Sequence, residues 1–213
     1  MNHASLRAVI FTGGFCNTSL LTDEELAADL YIAADAGWHT AKALGIKPHI
    51  AAGDFDSADT PPGGFANEII RVPAEKDDTD TMLACELAIH RGVQDILILG
   101  GTGGRLDHTL SNVFLLENHL ARGIRTQLTD GENRIRALQE ETLTLPRTRF
   151  RYFSLLALSD AVVSLRGCKY PLTDAPLTRA NPYAVSNEIV GEAAQIRVVD
   201  GPVLLLESDA RND

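Results

Sequence analysis

The chain is poor in cysteine, tryptophan and positive charge, and it lacks long apolar runs. Its three cysteines, Cys16, Cys85 and Cys168, form no CxxC pair and no zinc spacing, and the odd count argues against a disulfide framework. They read as reduced, buried thiols of a cytoplasmic protein. Lys and Arg number 19 against 29 Asp and Glu, a formal net charge of −10. Binders of duplex nucleic acid carry a basic face, so DNA and RNA are poor partners for this chain. No stretch approaches the roughly 18 apolar residues of a membrane helix, and the opening MNHASLRAVIF has no signal-peptide plan. The expectation is a soluble cytoplasmic protein with no nucleic-acid or membrane partner. If so acidic a chain handles a negative nucleotide, it needs a cation in between.

What is present divides near residues 130–140. Before that, short apolar runs at 7–11, 30–34, 49–52, 69–72, 96–99 and 125–129 alternate with helical patterns at 36–44, 79–91 and 106–122. A capping-box sequence, Thr22-Asp-Glu-Glu25, opens one further helix. Apolar strands alternating with helices imply a parallel sheet covered on both faces. After the division, strand-like segments at 142–145, 152–157, 161–166, 195–199 and 203–207 are separated by turn residues, and no helical pattern appears. That is a small all-β unit, a sandwich or open barrel. The expected fold class is therefore α/β: an N-terminal parallel-sheet α/β nucleotide domain over 1–132 and a C-terminal all-β sandwich domain over 133–213.

Aspartates carry the chemistry. Nine of the seventeen lie between positions 35 and 107, at strand ends and helix starts, where the ligand crevice of an open α/β sheet lies. The segment Gly53-Asp54-Phe55-Asp56-Ser57 follows a strand, and residues two apart in extended chain point the same way. Asp54 and Asp56 can thus aim two hard oxygen ligands at one Mg2+, which takes only one or two carboxylates. An Asp-rich turn would give the same pattern without a metal. In Lys76-Asp77-Asp78-Thr79-Asp80 a helix cap explains one polar residue and the macrodipole favours acids in the first turn. Three carboxylates in four residues exceed that need and call for a cation, Lys76 or a metal.

The third cluster runs from Gly100 to His108. A glycine-rich strand-to-helix turn is an anion site, and Arg105 is suited to clamp a phosphate. It matches neither a Walker A loop nor GxGxxG spacing. Asp107 and His108 can orient each other or an acceptor, or His108 is a plain surface residue. Asp35 is either a helix cap or a fourth crevice carboxylate, Gly13-Gly14 either admits phosphate or makes a turn, and the single Trp38 either packs in the core or stacks on a ligand ring.

In this order the segments ADAG (34–37), GDFDS (53–57), DDTD (77–80), GGRLDHTLSN (103–112) and Ser186-Asn187-Glu188 resemble the thiamine pyrophosphokinase family. The resemblance implies transfer of the diphosphoryl group of ATP to the hydroxyl of thiamine, releasing AMP. It implies a homodimer with a shared active site, where the α/β domain of one chain meets the β domain of the other. Carried over residue by residue, Asp54, Asp56 and Asp80 bind Mg2+ and phosphate, with Asp77 in support. Arg105, Asp107 and His108 lie at the phosphates and the reacting hydroxyl. Asp35, Gly37, Gly104 and Asn112 stand beside the nucleotide, and Ser186 and Asn187 touch thiamine. The family has a second glycine where this chain has Ala36. Two other readings stay open: a pyrophosphokinase for another small alcohol such as a pterin, and a non-catalytic nucleotide- or thiamine-binding regulator.

Overall fold

The computed structural model describes residues 5–55, 61, 63–72, 78–103 and 105–209. The chain forms two compact units, Met1–Gly131 and Glu132–Asp213.

Among the described residues unit 1 holds six strands: β1 (Leu6–Phe11), β2 (Leu30–Ala34), β3 (Ile50–Gly53), β4 (Glu68–Arg71), β5 (Val93–Leu99) and β6 (Arg125–Thr129). Their order is β6-β5-β1-β2-β3-β4, and every neighbouring pair is parallel. The run Ala8–Phe11 is completely buried, as is Ile96–Leu99 to within a few per cent, because helices cover both faces of these central strands. The chain winds outward from β1 through β2, β3 and β4, then returns to the other side of β1 with β5 and β6. That reversal between β1 and β2 on one side and β1 and β5 on the other opens a crevice at the carboxyl ends of the strands.

Four helices connect them: α1 (Asp23–Leu26), α2 (Trp38–Ala43), α3 (Asp80–His90) and α4 (Leu106–Ala121). The capping box forms as expected: the Thr22 hydroxyl accepts from the Glu25 amide at 3.2 Å, and the Thr22 amide donates to Glu25 Oε2 at 3.0 Å. The cap does not prolong α1 beyond four residues. The helix expected over 36–44 is split into a 3-10 turn at Asp35–Gly37 and α2. Trp38 is buried, stacked on His39 and edge-on to Phe65. Cys85 and Cys168 are buried, but Cys16 is only partly so.

Unit 2 holds eight strands: β7 (Asn133–Gln139), β8 (Thr142–Pro146), β9 (Tyr152–Ala157), β10 (Ala161–Arg166), β11 (Leu172–Leu177), β12 (Asn187–Glu188), β13 (Ala193–Asp200) and β14 (Pro202–Ser208). They pair antiparallel in the orders β12-β9-β14-β7 and β11-β10-β13-β8. Burial alternates along β10 and β13, as the two-residue period of a strand requires. Phe153, Leu155, Val203 and Leu205 from the first set meet Leu145, Val163, Leu165, Ile196 and Val198 from the second in one core. Each such side chain contributes about 1.5–3 kcal/mol by leaving water. This is the expected sandwich.

The sequence reading had not singled out β7, β11 and β12. In β7 the arginines at 134 and 136 break the apolar pattern. β11 is an edge strand, where Asp174 and Pro176 are tolerated. β12 has only two residues.

Candidate active site

The carboxyl ends of β1, β2 and β5 meet the amino ends of α3 and α4 around a cavity of about 390 Å³. Its wall includes Gly13, Gly14, Asp35, Asp80, Gly101, Arg105, His108 and Asn112. Two of these features depend on glycine. A Cβ on Gly14 would stand 1.9 Å from the Gly100 carbonyl oxygen, so the loops after β1 and β5 pack backbone on backbone. A Cβ on Gly37 would stand 2.0 Å from the Phe11 oxygen, which locks the turn after β2 against the end of β1. The methyl of Ala36 lies 3.0 Å from the place a Cβ on Gly13 would occupy, so it fits only because residue 13 is glycine.

The carboxylates come from strand ends. Asp35 has φ +45°, a conformation costly for a non-glycine residue and found where function over-determines the backbone. A Cβ on Gly53 would lie 3.0 Å from the Asp35 Cα, so the end of β3, which carries Asp54, runs beside Asp35. Phe55 next to it has φ +47°. Asp54 itself is half-buried and does not line the cavity, whereas Asp80 does, one residue past the α3 cap. That cap is Thr79, whose hydroxyl accepts from the Met82 amide at 3.2 Å. Asp78, immediately before it, is exposed. Asp56, Asp77 and Gly104 lie outside the described residues.

The α4 end supplies the cationic side. Arg105 donates to Asp107 through Nη2 at 2.5 Å and Nε at 3.1 Å, and the His108 amide donates to Asp107 Oδ1 at 3.0 Å. The guanidinium hydrogen bonds hold the Asp107 carboxyl below the usual carboxylate range and raise Arg105 in turn. Arg105 and His108 line the cavity, while Asp107 braces Arg105 from outside it. Asn112 is buried and donates through Nδ2 to the Gly101 carbonyl at 2.8 Å, which pins the glycine loop to the second turn of α4.

One supporting group escaped the sequence reading. Asp130, at the carboxyl end of β6, is 5% exposed. It accepts from the Thr102 hydroxyl at 2.5 Å, and its backbone carbonyl accepts from the Asn17 amide at 2.7 Å. Its signal was present: an aspartate before glycine at yet another strand end.

In unit 2, Asn187 is buried, and its amide clasps the backbone of Tyr170, accepting from the nitrogen at 3.0 Å and donating to the oxygen at 2.8 Å. Ser186 is exposed with φ +55°, its amide donating to Ser154 Oγ at 3.0 Å. Exposed Tyr170, Tyr183, Val185 and Val190 surround the pair in sequence and by this clasp. Asn187 thus shapes the loop that presents Ser186.

Two helix N-termini and a glycine loop border one cavity, an arrangement that suits phosphates. Among the described residues no three of His, Cys, Asp and Glu cluster as a metal cage. The donor chemistry still fits Mg2+, which keeps several waters and asks for one or two carboxylates: Asp80 is on the wall and Asp54 on the adjoining strand end. Among the described residues there is no cysteine or histidine set that would favour a softer metal.

A parallel sheet with this crevice defines an α/β phosphate-handling enzyme joined to a β-sandwich. Residues 23–128 match the thiamin pyrophosphokinase catalytic domain and residues 140–203 the thiamin pyrophosphokinase vitamin B1 binding domain. The chain is 31% identical over 194 residues to the thiamine pyrophosphokinase of Bacillus subtilis, covering 88% of this chain and 89% of that protein. The crystal structure of the Bacillus subtilis enzyme superposes with a TM-score of 0.84 at 29% identity, covering 96% of this chain and all of the other. A thiamin pyrophosphokinase family protein from Enterococcus faecalis superposes with a TM-score of 0.83 at 30% identity and the same coverage. The chain belongs to the thiamine pyrophosphokinase family.

Proposed function

We infer that this chain transfers the diphosphoryl group of ATP to the hydroxyl of thiamine, forming thiamine diphosphate and AMP. The observation that carries this reading is the crevice of unit 1, with its paired glycine loops and two helix N-termini, in a chain whose second unit matches a vitamin B1 binding domain.

The thiamine hydroxyl oxygen attacks the β-phosphorus in line, and its proton passes to a crevice carboxylate and on to water. The bond from that phosphorus to the α–β bridging oxygen breaks, and AMP departs with that oxygen. The chain contributes position and fixed charge rather than covalent chemistry. Backbone N–H groups of the loop at 100–103 and of the α3 and α4 ends receive phosphate oxygens. Arg105, held in place by Asp107, takes the charge that develops on the transferring group. His108 lies beside them on the cavity wall. Asp54 and Asp80, with Asp56 and Asp77 from the segments outside the described residues, would hold Mg2+, and Asp35 adds to the negative field that attracts cationic thiamine. When bound, Mg2+ neutralises charge on the ATP phosphates. Gly37, Gly104 and Asn112 shape the nucleotide side.

The working unit we propose is a cytoplasmic homodimer, in which Ser186 and Asn187 of one protomer serve thiamine at the crevice of its partner. Purified protein given ATP, Mg2+ and thiamine should form AMP and thiamine diphosphate in equal amounts. ADP with thiamine monophosphate would refute the diphosphoryl step. No product with thiamine, but AMP with a pterin alcohol, would move the acceptor.

A further inference from the structure

The glycine loop at 100–103 is held from behind by a carboxylate. Asp130 accepts from the Thr102 hydroxyl at 2.5 Å, and neither residue is on the cavity wall, although Gly100, Gly101 and Gly103 are. The neighbouring residues of the loop are tied through their main chain. The Gly100 amide donates to the Thr129 carbonyl at 2.9 Å, and the Gly101 carbonyl accepts from Asn112 at 2.8 Å.

Asp130 is itself fixed to the loop after β1. Its carbonyl accepts from the Asn17 amide at 2.7 Å. Gly131, at φ +88°, seals the joint, since a Cβ there would stand 2.4 Å from the Asn17 oxygen. The same loop carries Gly14, where a Cβ would lie 1.9 Å from the Gly100 oxygen and 3.1 Å from the Thr102 oxygen. One residue thus links the two glycine loops of the cavity, by its main chain to one and by its side chain to the other.

A carboxylate is a costly choice at this place. It is 5% exposed, and its charge stands behind a loop suited to phosphates. That charge is felt nearby: the Cys16 thiol is pushed up to about 11, first by burial and then by Asp130. An amide would tie the loop without the charge. What an ionised carboxylate alone supplies is direction, because it accepts and never donates, so the Thr102 hydroxyl has to donate to it. Hydroxyl-to-carboxylate bonds are also short and about twice as strong as neutral ones. The link is stiff, and stiffness matters where a protein contributes position rather than covalent chemistry. We propose that Asp130 is a positioning residue of the transfer reaction. Through the Thr102 hydroxyl it sets the loop at 100–103 at the spacing from the loop after β1 that the phosphates of ATP require. The inference rests on the transfer reading of this cavity.

The test is steady-state kinetics of the full chain with ATP, Mg2+ and thiamine. D130N keeps the shape of the side chain and T102V keeps its volume while removing the hydroxyl. Each should raise the KM for ATP about tenfold or more, with the KM for thiamine little changed. D130N/T102V should show no further rise, because both changes cut one link. T102S, which keeps the hydroxyl, should lose far less than T102V. A parent-like KM for ATP in D130N and T102V, with only a lower unfolding midpoint, would reduce Asp130 to a structural role and overturn the proposal. Multiplying effects in the double variant, or a rise in the KM for thiamine alone, would do the same. If the parent chain makes no thiamine diphosphate, the transfer reading fails, and calorimetric titration with ATP and Mg2+ decides the positioning role by itself. Binding weakened by the same factor in D130N and T102V would support it; equal affinity in parent and variants, or no binding by the parent, would overturn it.

Discussion

The two units place their charged groups by opposite rules. In unit 1 the charged groups of the cavity stand at the ends of strands and helices, at the mouth of a crevice, over an apolar sheet buried on both faces. In unit 2 they lie along strands, and one carboxylate, Glu207, is drawn into the interior between two arginines. The first arrangement can lose a charge without losing its core. The second cannot, because removing one partner leaves an uncompensated buried charge.

The largest separation of chemistry from folding should come from Asp80→Asn. Turnover with ATP, Mg2+ and thiamine should fall about a hundredfold or more, while the unfolding midpoint stays within a few degrees. A variant as active as its parent would remove Asp80 from the Mg2+ and phosphate group. The mirror experiment is Leu155→Ala in unit 2. It should cost about 2–5 kcal/mol of stability, read by denaturant unfolding, with the surviving folded fraction still turning over.

The charge contrast is sharpened by His119. It is fully buried on α4 with Nδ1 2.8 Å from the Thr126 hydroxyl, and burial lowers its pKa from 6.5 to about 4. The neighbouring Arg122 guanidinium adds to the fall, and Glu86 opposes it. The unfolded chain therefore binds this proton more readily between those two values. The histidine's contribution is complete above pH 6.5 and is lost as pH falls toward 4, amounting to about 3 kcal/mol. Unfolding measured from pH 7 to 4.5 should show that slope, and His119→Gln should flatten it. The smallest effect expected is at the α3 cap, where Thr79→Ala should cost about 1 kcal/mol, seen as a small shift in unfolding midpoint.

The same contrast explains what the sequence disclosed. Unit 1 was legible because its parallel strands are continuous apolar runs and its functional residues sit where those runs stop, at Asp35, Gly53-Asp54 and Gly100-Gly101. Asn112 was named for the nucleotide, yet its amide reaches back eleven residues to Gly101, a tie no linear pattern announces. Asp130 was missed because it is a single acid outside any cluster. In unit 2 the central strands alternate cleanly and were legible, whereas β7 carries its arginines toward a partner on β14 that lies some seventy residues away.

The account rests on attack at the β-phosphorus. Its most direct test is turnover of ATP carrying 18O in the α–β bridge, with thiamine and Mg2+, followed by 31P NMR and mass spectrometry. The heavy oxygen should appear wholly in AMP, and the diphosphate of the product should carry none of it. Heavy oxygen in pyrophosphate, or in ADP beside thiamine monophosphate, would contradict diphosphoryl transfer by this chain.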